Sequence, residues 1–302
     1  MAFPPGLSAG VCSAPRPCIE RSDVSKSASR SAGQSAPVED ECMSSGLRYE
    51  KKSTVAVFTI DNPPVNAWTP AMHKAFYDRL VEFIDDDSVR VGILTGAGDR
   101  CFSAGDDIKT PRPPRTHSEL NRRYLEGMKE DTDLDFPGWE HKVLTLTRYK
   151  PIIGAINGAA LGGGFVYLQL LTDIRIAARG AQLGLPEIKY GMSGAGGALQ
   201  LGNVISHVDA MYLLLTGSTI DADRACEMRL VNEVVEPEAL MERAFAVAEM
   251  IAAHDPLAIK VEMESYYRGR DLPRDQALAL SGFMFRMIRS TFPEKPPLED
   301  EK

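Results

Sequence analysis

Apolar and polar positions settle into a regular pattern from Thr54 onward. TVAVFTI (54–60) is a β-branched run that predicts a strand. PAMHKAFYDRLVEFIDD (70–86) predicts an amphipathic helix with Pro70 near its first turn, and RVGILTG (90–96) a second strand. Strand, helix, strand points to an α/β core. A loop rich in Pro and Arg (110–116) leads into a helix expected to run to about Arg148, followed by strand PIIGAI (151–156), a glycine-rich turn, a short helix and strand DIRIAA (173–178). Beyond these, helices are predicted near 206–215, 221–228, 237–253, 255–267 and 273–290, and only VNEVV (231–235) reads as a strand between them. A helical tail on an α/β core often serves assembly.

Residues 1–42 break this pattern. Ser, Pro, Gly and Ala make up over half of them and Phe3 is their sole aromatic, so the segment has too little apolar surface to fold alone. It has no apolar stretch suited to a secretory signal, and Met43 offers an alternative start. The expected organisation is a disordered tail (1–46), an α/β core (47–235) and a C-terminal helical region (236–302).

Composition narrows the function classes. The 302 residues are 44% apolar and 25% charged, the balance of a soluble globular protein. A net charge of −8, from 42 acids against 34 bases, gives no overall attraction to phosphate backbones or anionic lipid, so neither nucleic acid nor membrane is an expected partner. Cys12, Cys18, Cys42, Cys101 and Cys226 form no CxxC pair, which argues against a disulfide framework or a structural metal and makes the cytoplasm the expected compartment. The uncharged run between Lys150 and Asp173 contains Asn157, Gln169 and five glycines, which weakens a membrane-spanning reading.

Two segments carry the chemistry. In CFSAGDDIK (101–109) a strand ends and turns through Ala104 and Gly105 towards an acidic helix start, where peptide N–H groups could converge on an oxygen. Asp106 or Asp107 as a plain N-cap explains the same residues. In INGAALGGGF (156–165) three consecutive glycines at a helix N-terminus expose unpaired N–H donors, although close packing of helix on strand also accounts for glycine there. Neither segment is GxGxxG or a phosphate loop ending in Gly-Lys-Ser/Thr.

Taken with GLPEIKYGMSGAGGALQL (184–201), these segments resemble, in order and spacing, the crotonase family, also called the enoyl-CoA hydratase/isomerase superfamily, over residues 47 to about 290. The resemblance implies an α/β spiral of ββα repeats, with C-terminal helices that build a homotrimer or hexamer, and an acyl-CoA thioester substrate. It places the thioester oxygen between the N–H groups of Ala104 and Gly163, with Ala104, Asp107, Ile108 and Lys109 contacting coenzyme A. No metal or separate cofactor is implied, since coenzyme A belongs to the substrate. Hydratases of the family use two glutamates. Here Glu187 stands in the second position, but Val166 occupies the first, between Phe165 and Tyr167, and the helix carries one residue more than the family spacing.

A lone glutamate can carry a proton from one carbon to another, so double-bond isomerisation by Glu187 is the leading expectation. Hydration or dehydration remains open if Glu126, Glu130 or Asp131 substitutes for the missing acid. C–C bond hydrolysis, decarboxylation and noncatalytic acyl-CoA binding remain open as well. Tyr167 is expected to pack in the interior or, with a shifted register, to donate a hydrogen bond. None of the five histidines is assigned a catalytic role.

Overall fold

Runs that are apolar at every position, such as VAVFTI and IIGAI, suit strands covered on both faces. The computed structural model describes residues 42–44, 46–110, 114–126 and 138–291. In chain order the strands are β1 (Cys42–Ser44), β2 (Leu47–Lys52), β3 (Val55–Ile60), β4 (Val91–Gly96), β5 (Cys101–Ser103), β6 (Ile152–Ile156), β7 (Ala159–Leu161), β8 (Ile174–Ala178), β9 (Gln182–Gly184), β10 (Thr219–Asp221) and β11 (Glu233–Val235). They form a larger sheet ordered β1-β2-β3-β4-β6-β8-β11 and a smaller one ordered β10-β9-β7-β5. From β3 to β11 the larger sheet is parallel, and both its faces are covered.

The helices are α1 (Pro70–Asp85), α2 (His117–Glu126), α3 (Trp139–Thr145), α4 (Gly163–Leu171), α5 (Ala195–Leu201), α6 (His207–Thr216), α7 (Ala222–Glu227), α8 (Leu240–Ala252), α9 (Pro256–Gly269) and α10 (Arg274–Arg289). Helix α1 starts where Thr69 Oγ1 accepts the Met72 N–H at 3.2 Å, with Pro70 fixing the first turn. It buries Met72, Phe76, Leu80 and Phe83 in a cluster with Phe58 and Leu94 of the larger sheet. On the opposite face, Leu240, Ala244 and Ala248 of α8 pack with Val57, Ile93 and Ile153. Helix α8 is therefore a layer of the core, and the helical appendage begins after it rather than at residue 236.

Helices α9 and α10 pack on each other and are tied to the core where Tyr267 Oη donates to Asp173 Oδ1 at 2.5 Å. They leave Leu257, Tyr266, Phe283 and Phe285 exposed. At the other end, Cys42–Ser44, expected in the tail, instead pairs with Leu47–Tyr49, so ordered pairing starts before Met43; residues 1–41 lie outside the described residues. Among the described residues no helix is long and apolar enough to cross a membrane.

Candidate active site

The smaller sheet explains why distant motifs meet. Strands β5 and β7 pair in parallel (Cys101↔Ala159), and so do β7 and β9 (Leu161↔Gly184). The residues that leave their C-terminal ends therefore emerge side by side: Ala104–Asp106 from β5, Gly162–Gly164 from β7 and Glu187 from β9. This is where α/β sheets commonly hold ligands.

Two glycines permit the close approach. Gly105 has φ +94°, and a Cβ there would lie 2.9 Å from the Gly163 nitrogen. Gly162, with φ +54°, caps α4, and a Cβ there would lie 3.4 Å from Glu187 Oε1. Since Gly163 opens α4, its N–H has no acceptor within the helix.

The expected partner donor needs correction. The Ala104 N–H donates to Val65 O at 3.0 Å and the Gly105 N–H to Ser103 Oγ at 3.2 Å, so neither is available to a ligand. The Asp106 N–H has no acceptor among the described residues, and its nitrogen lies 3.4 Å from the place a Gly163 Cβ would take. Asp106 and Gly163 thus form the open donor pair. The helix expected after Gly105 is also absent. Asp106 instead bridges Trp68, and the Asp107 carboxylate closes a turn by accepting from the N–H groups of Lys109 (2.9 Å) and Thr110 (3.2 Å). Beside this turn Ile108 is 67% exposed, and Lys109 is exposed.

Glu187 sits in a 3₁₀ turn, Pro186–Tyr190, half-buried at the donor pair. Its Oε2 is buried without a hydrogen-bond partner among the described residues. Burial raises its pKa and the nearby Asp106 charge adds to this, against a smaller lowering by its own backbone N–H. Because the folded pKa lies above the unfolded one, the folded protein holds this proton more tightly. Stability is then lost as pH rises from the ordinary value of 4.5 through the raised pKa. Glu187→Gln is accordingly expected to raise the thermal midpoint by a few degrees at pH 8 and to leave it unchanged near pH 4, as calorimetry at the two pH values would check.

Val166 is 5% exposed and packs toward Gly197, so no carboxylate occupies the first acid position. Tyr167, 2% exposed, both packs in the core and hydrogen-bonds: its hydroxyl lies 2.5 Å from His73 Nδ1. His73 Nε2 in turn lies 3.3 Å from Asp106 Oδ1. Sequence reasoning missed this chain, because His73 lies on the buried face of an amphipathic helix, a pattern that signals only packing. Among the substitute acids considered above, the Glu126 side chain, Glu130 and Asp131 lie outside the described residues.

The chain is similar to known proteins over most of its length. A family profile described as Enoyl-CoA hydratase/isomerase matches residues 50–295. The short-chain-enoyl-CoA hydratase of Clostridium acetobutylicum is 36% identical over 250 residues, covering 82% of this chain and 90% of that protein. The (E)-benzylidenesuccinyl-CoA hydratase of Thauera aromatica is 32% identical over 252 residues, covering 81% and 91%. An enoyl-CoA hydratase structure from Bacillus anthracis superposes with a TM-score of 0.68 at 30% identity, covering 82% and 92%. The chain belongs to the enoyl-CoA hydratase/isomerase, or crotonase, family of acyl-CoA enzymes, and it has that family's α/β fold with a helical C-terminal region.

Proposed function

We propose that the protein adds water to, and removes it from, the C2–C3 double bond of an acyl-CoA thioester. The observation that carries this reading is the convergence of two backbone donors, Asp106 and Gly163, with Glu187 Oε2, all three without a partner among the described residues. Attack at C3 or proton removal at C2 places negative charge on the thioester oxygen. Two fixed donors aimed at that oxygen supply roughly 3 kcal/mol each of transition-state stabilisation. Glu187, its carboxyl kept protonated to higher pH by burial, is suited to hand a proton to C2. The two relatives described above are named as hydratases, which supports hydration over the other reactions of the same enolate.

Double-bond isomerisation is the second reading. Val166 in place of the first acid favours it, since Glu187 alone suffices to move a proton between two carbons. In either case the exposed Ile108, with Asp107 and Lys109, forms a surface at the mouth of the site that coenzyme A would cover. The exposed aromatic side chains of α9 and α10 suit burial against further copies in a homotrimer or hexamer.

Loss of the conjugated-thioester absorbance of 2-enoyl-CoA substrates tests the proposal. The expected result is catalysed hydration of at least one chain length. Turnover of 3-enoyl-CoA alone would establish isomerisation instead, and tight binding with neither reaction would point to a noncatalytic acyl-CoA-binding protein.

A further inference from the structure

We propose that Asp106 is the second acid–base group of this site, oriented by a buried relay of His73 and Tyr167. The inference rests on the hydration reading above, because hydration needs a group that takes a proton from water as well as one that protonates carbon. Asp106 is placed for the first task. Its backbone N–H belongs to the donor pair, and its Oδ1 lies 2.9 Å from the position a Gly163 Cβ would take. Its side chain is 44% exposed, so it can meet water from the open side of the site. Glu187 approaches the adjacent glycine, Gly162, and the two carboxylates are close enough for Asp106 to perturb Glu187.

The relay fixes the chemistry at Asp106. Burial raises the pKa of the Tyr167 phenol well above its ordinary value, so the O–H is retained, and its oxygen lies 2.5 Å from His73 Nδ1. A Tyr167 hydroxyl that donates to Nδ1 leaves the ring proton on Nε2, which faces Asp106 Oδ1 at 3.3 Å. Trp68 stacks on the His73 ring at 5.6 Å between centroids and meets Tyr167 edge-on at 4.9 Å, holding both orientations. A buried histidine held in one tautomer keeps the carboxylate turned into the site. His73 and Tyr167 are positioning residues in this arrangement.

The step balances without a co-reactant beyond water. The water oxygen bonds to C3, the C2–C3 π pair shifts towards C2 and the thioester oxygen, and the proton leaving water goes to the Asp106 carboxylate. Glu187 delivers its proton to C2, and transfer of the proton held by Asp106 back to Glu187 restores the starting state. The net change is one water added to one double bond.

The experiment compares two reactions of the full-length protein: hydration of 2-butenoyl-CoA, and exchange of the C2 protons of butanoyl-CoA with deuterated water. Exchange requires Glu187 and the donor pair but no attack by water. In both Asp106→Asn and Asp106→Ala, hydration is expected to fall at least about a hundredfold, and at least about tenfold more than exchange. Tyr167→Phe should lower hydration at least about tenfold more than exchange, because a His73 ring without its Tyr167 partner no longer holds the Asp106 carboxylate in place for water. A merely structural role for Tyr167 would lower hydration and exchange alike. Hydration by both Asp106 variants at the wild-type rate, or equal loss of hydration and exchange, overturns the inference alone. A wild-type protein that exchanges but does not hydrate overturns the hydration reading and the inference with it.

Discussion

Glu187→Gln is expected to leave acyl-CoA affinity within about threefold of wild type while turnover falls by at least about a hundredfold. Glutamine preserves the size of the side chain and can still reach the Gly162 turn, but it cannot exchange a proton. The buried Oε2, which has no partner among the described residues, is the atom whose chemistry is removed. Isothermal titration with a saturated acyl-CoA, beside steady-state kinetics on an enoyl-CoA, separates the two effects. Equal losses in binding and turnover would make Glu187 a binding residue and leave the reaction without its acid.

Gly163→Pro should produce a second large loss, again about a hundredfold or more in turnover. Proline is well suited to the first position of a helix, where its missing N–H would be unpaired in any case, so α4 is expected to persist. What disappears is one of the two donors to the developing oxyanion. The added ring would also come against Asp106 Oδ1, which lies 2.9 Å from the new Cβ position and would have to move, so the loss includes that displacement. Circular dichroism should match wild type. Wild-type turnover in a folded variant would remove Gly163 from the mechanism.

Much of this site was legible in the sequence, though not its finer detail. The segments at 101–109, 156–165 and 184–201 announced a ligand-facing backbone because glycine and small residues cluster where strands end. Their meeting depended on β7 and β9, three-residue strands too short to show a period of two. The choice of Ala104 as a donor failed by two residues. Which amide stays open is decided by Val65, a loop residue 39 positions upstream whose carbonyl takes up the Ala104 N–H, and no local pattern encodes that contact. His73 was hidden for a similar reason: its partners Asp106 and Tyr167 lie 33 and 94 residues away, and its position on α1 satisfies helical amphipathicity without them. The absence of a carboxylate at Val166 was plain from the chain, whereas the carboxylate that faces the same glycine turn from β5 required the fold.

In the proposed reaction Glu187 transfers a proton to C2 of a coenzyme A thioester while the Asp106 and Gly163 amides hold the oxyanion. Incubating 2-butenoyl-CoA with the protein in deuterated water and determining the product by mass spectrometry and proton resonance tests it most directly. The expected product is 3-hydroxybutanoyl-CoA carrying one solvent deuterium at C2, formed by the wild type and at least about a hundredfold more slowly by Glu187→Gln. Unchanged substrate from the wild type at saturating concentration, or deuterated product formed equally fast by Glu187→Gln, would contradict it.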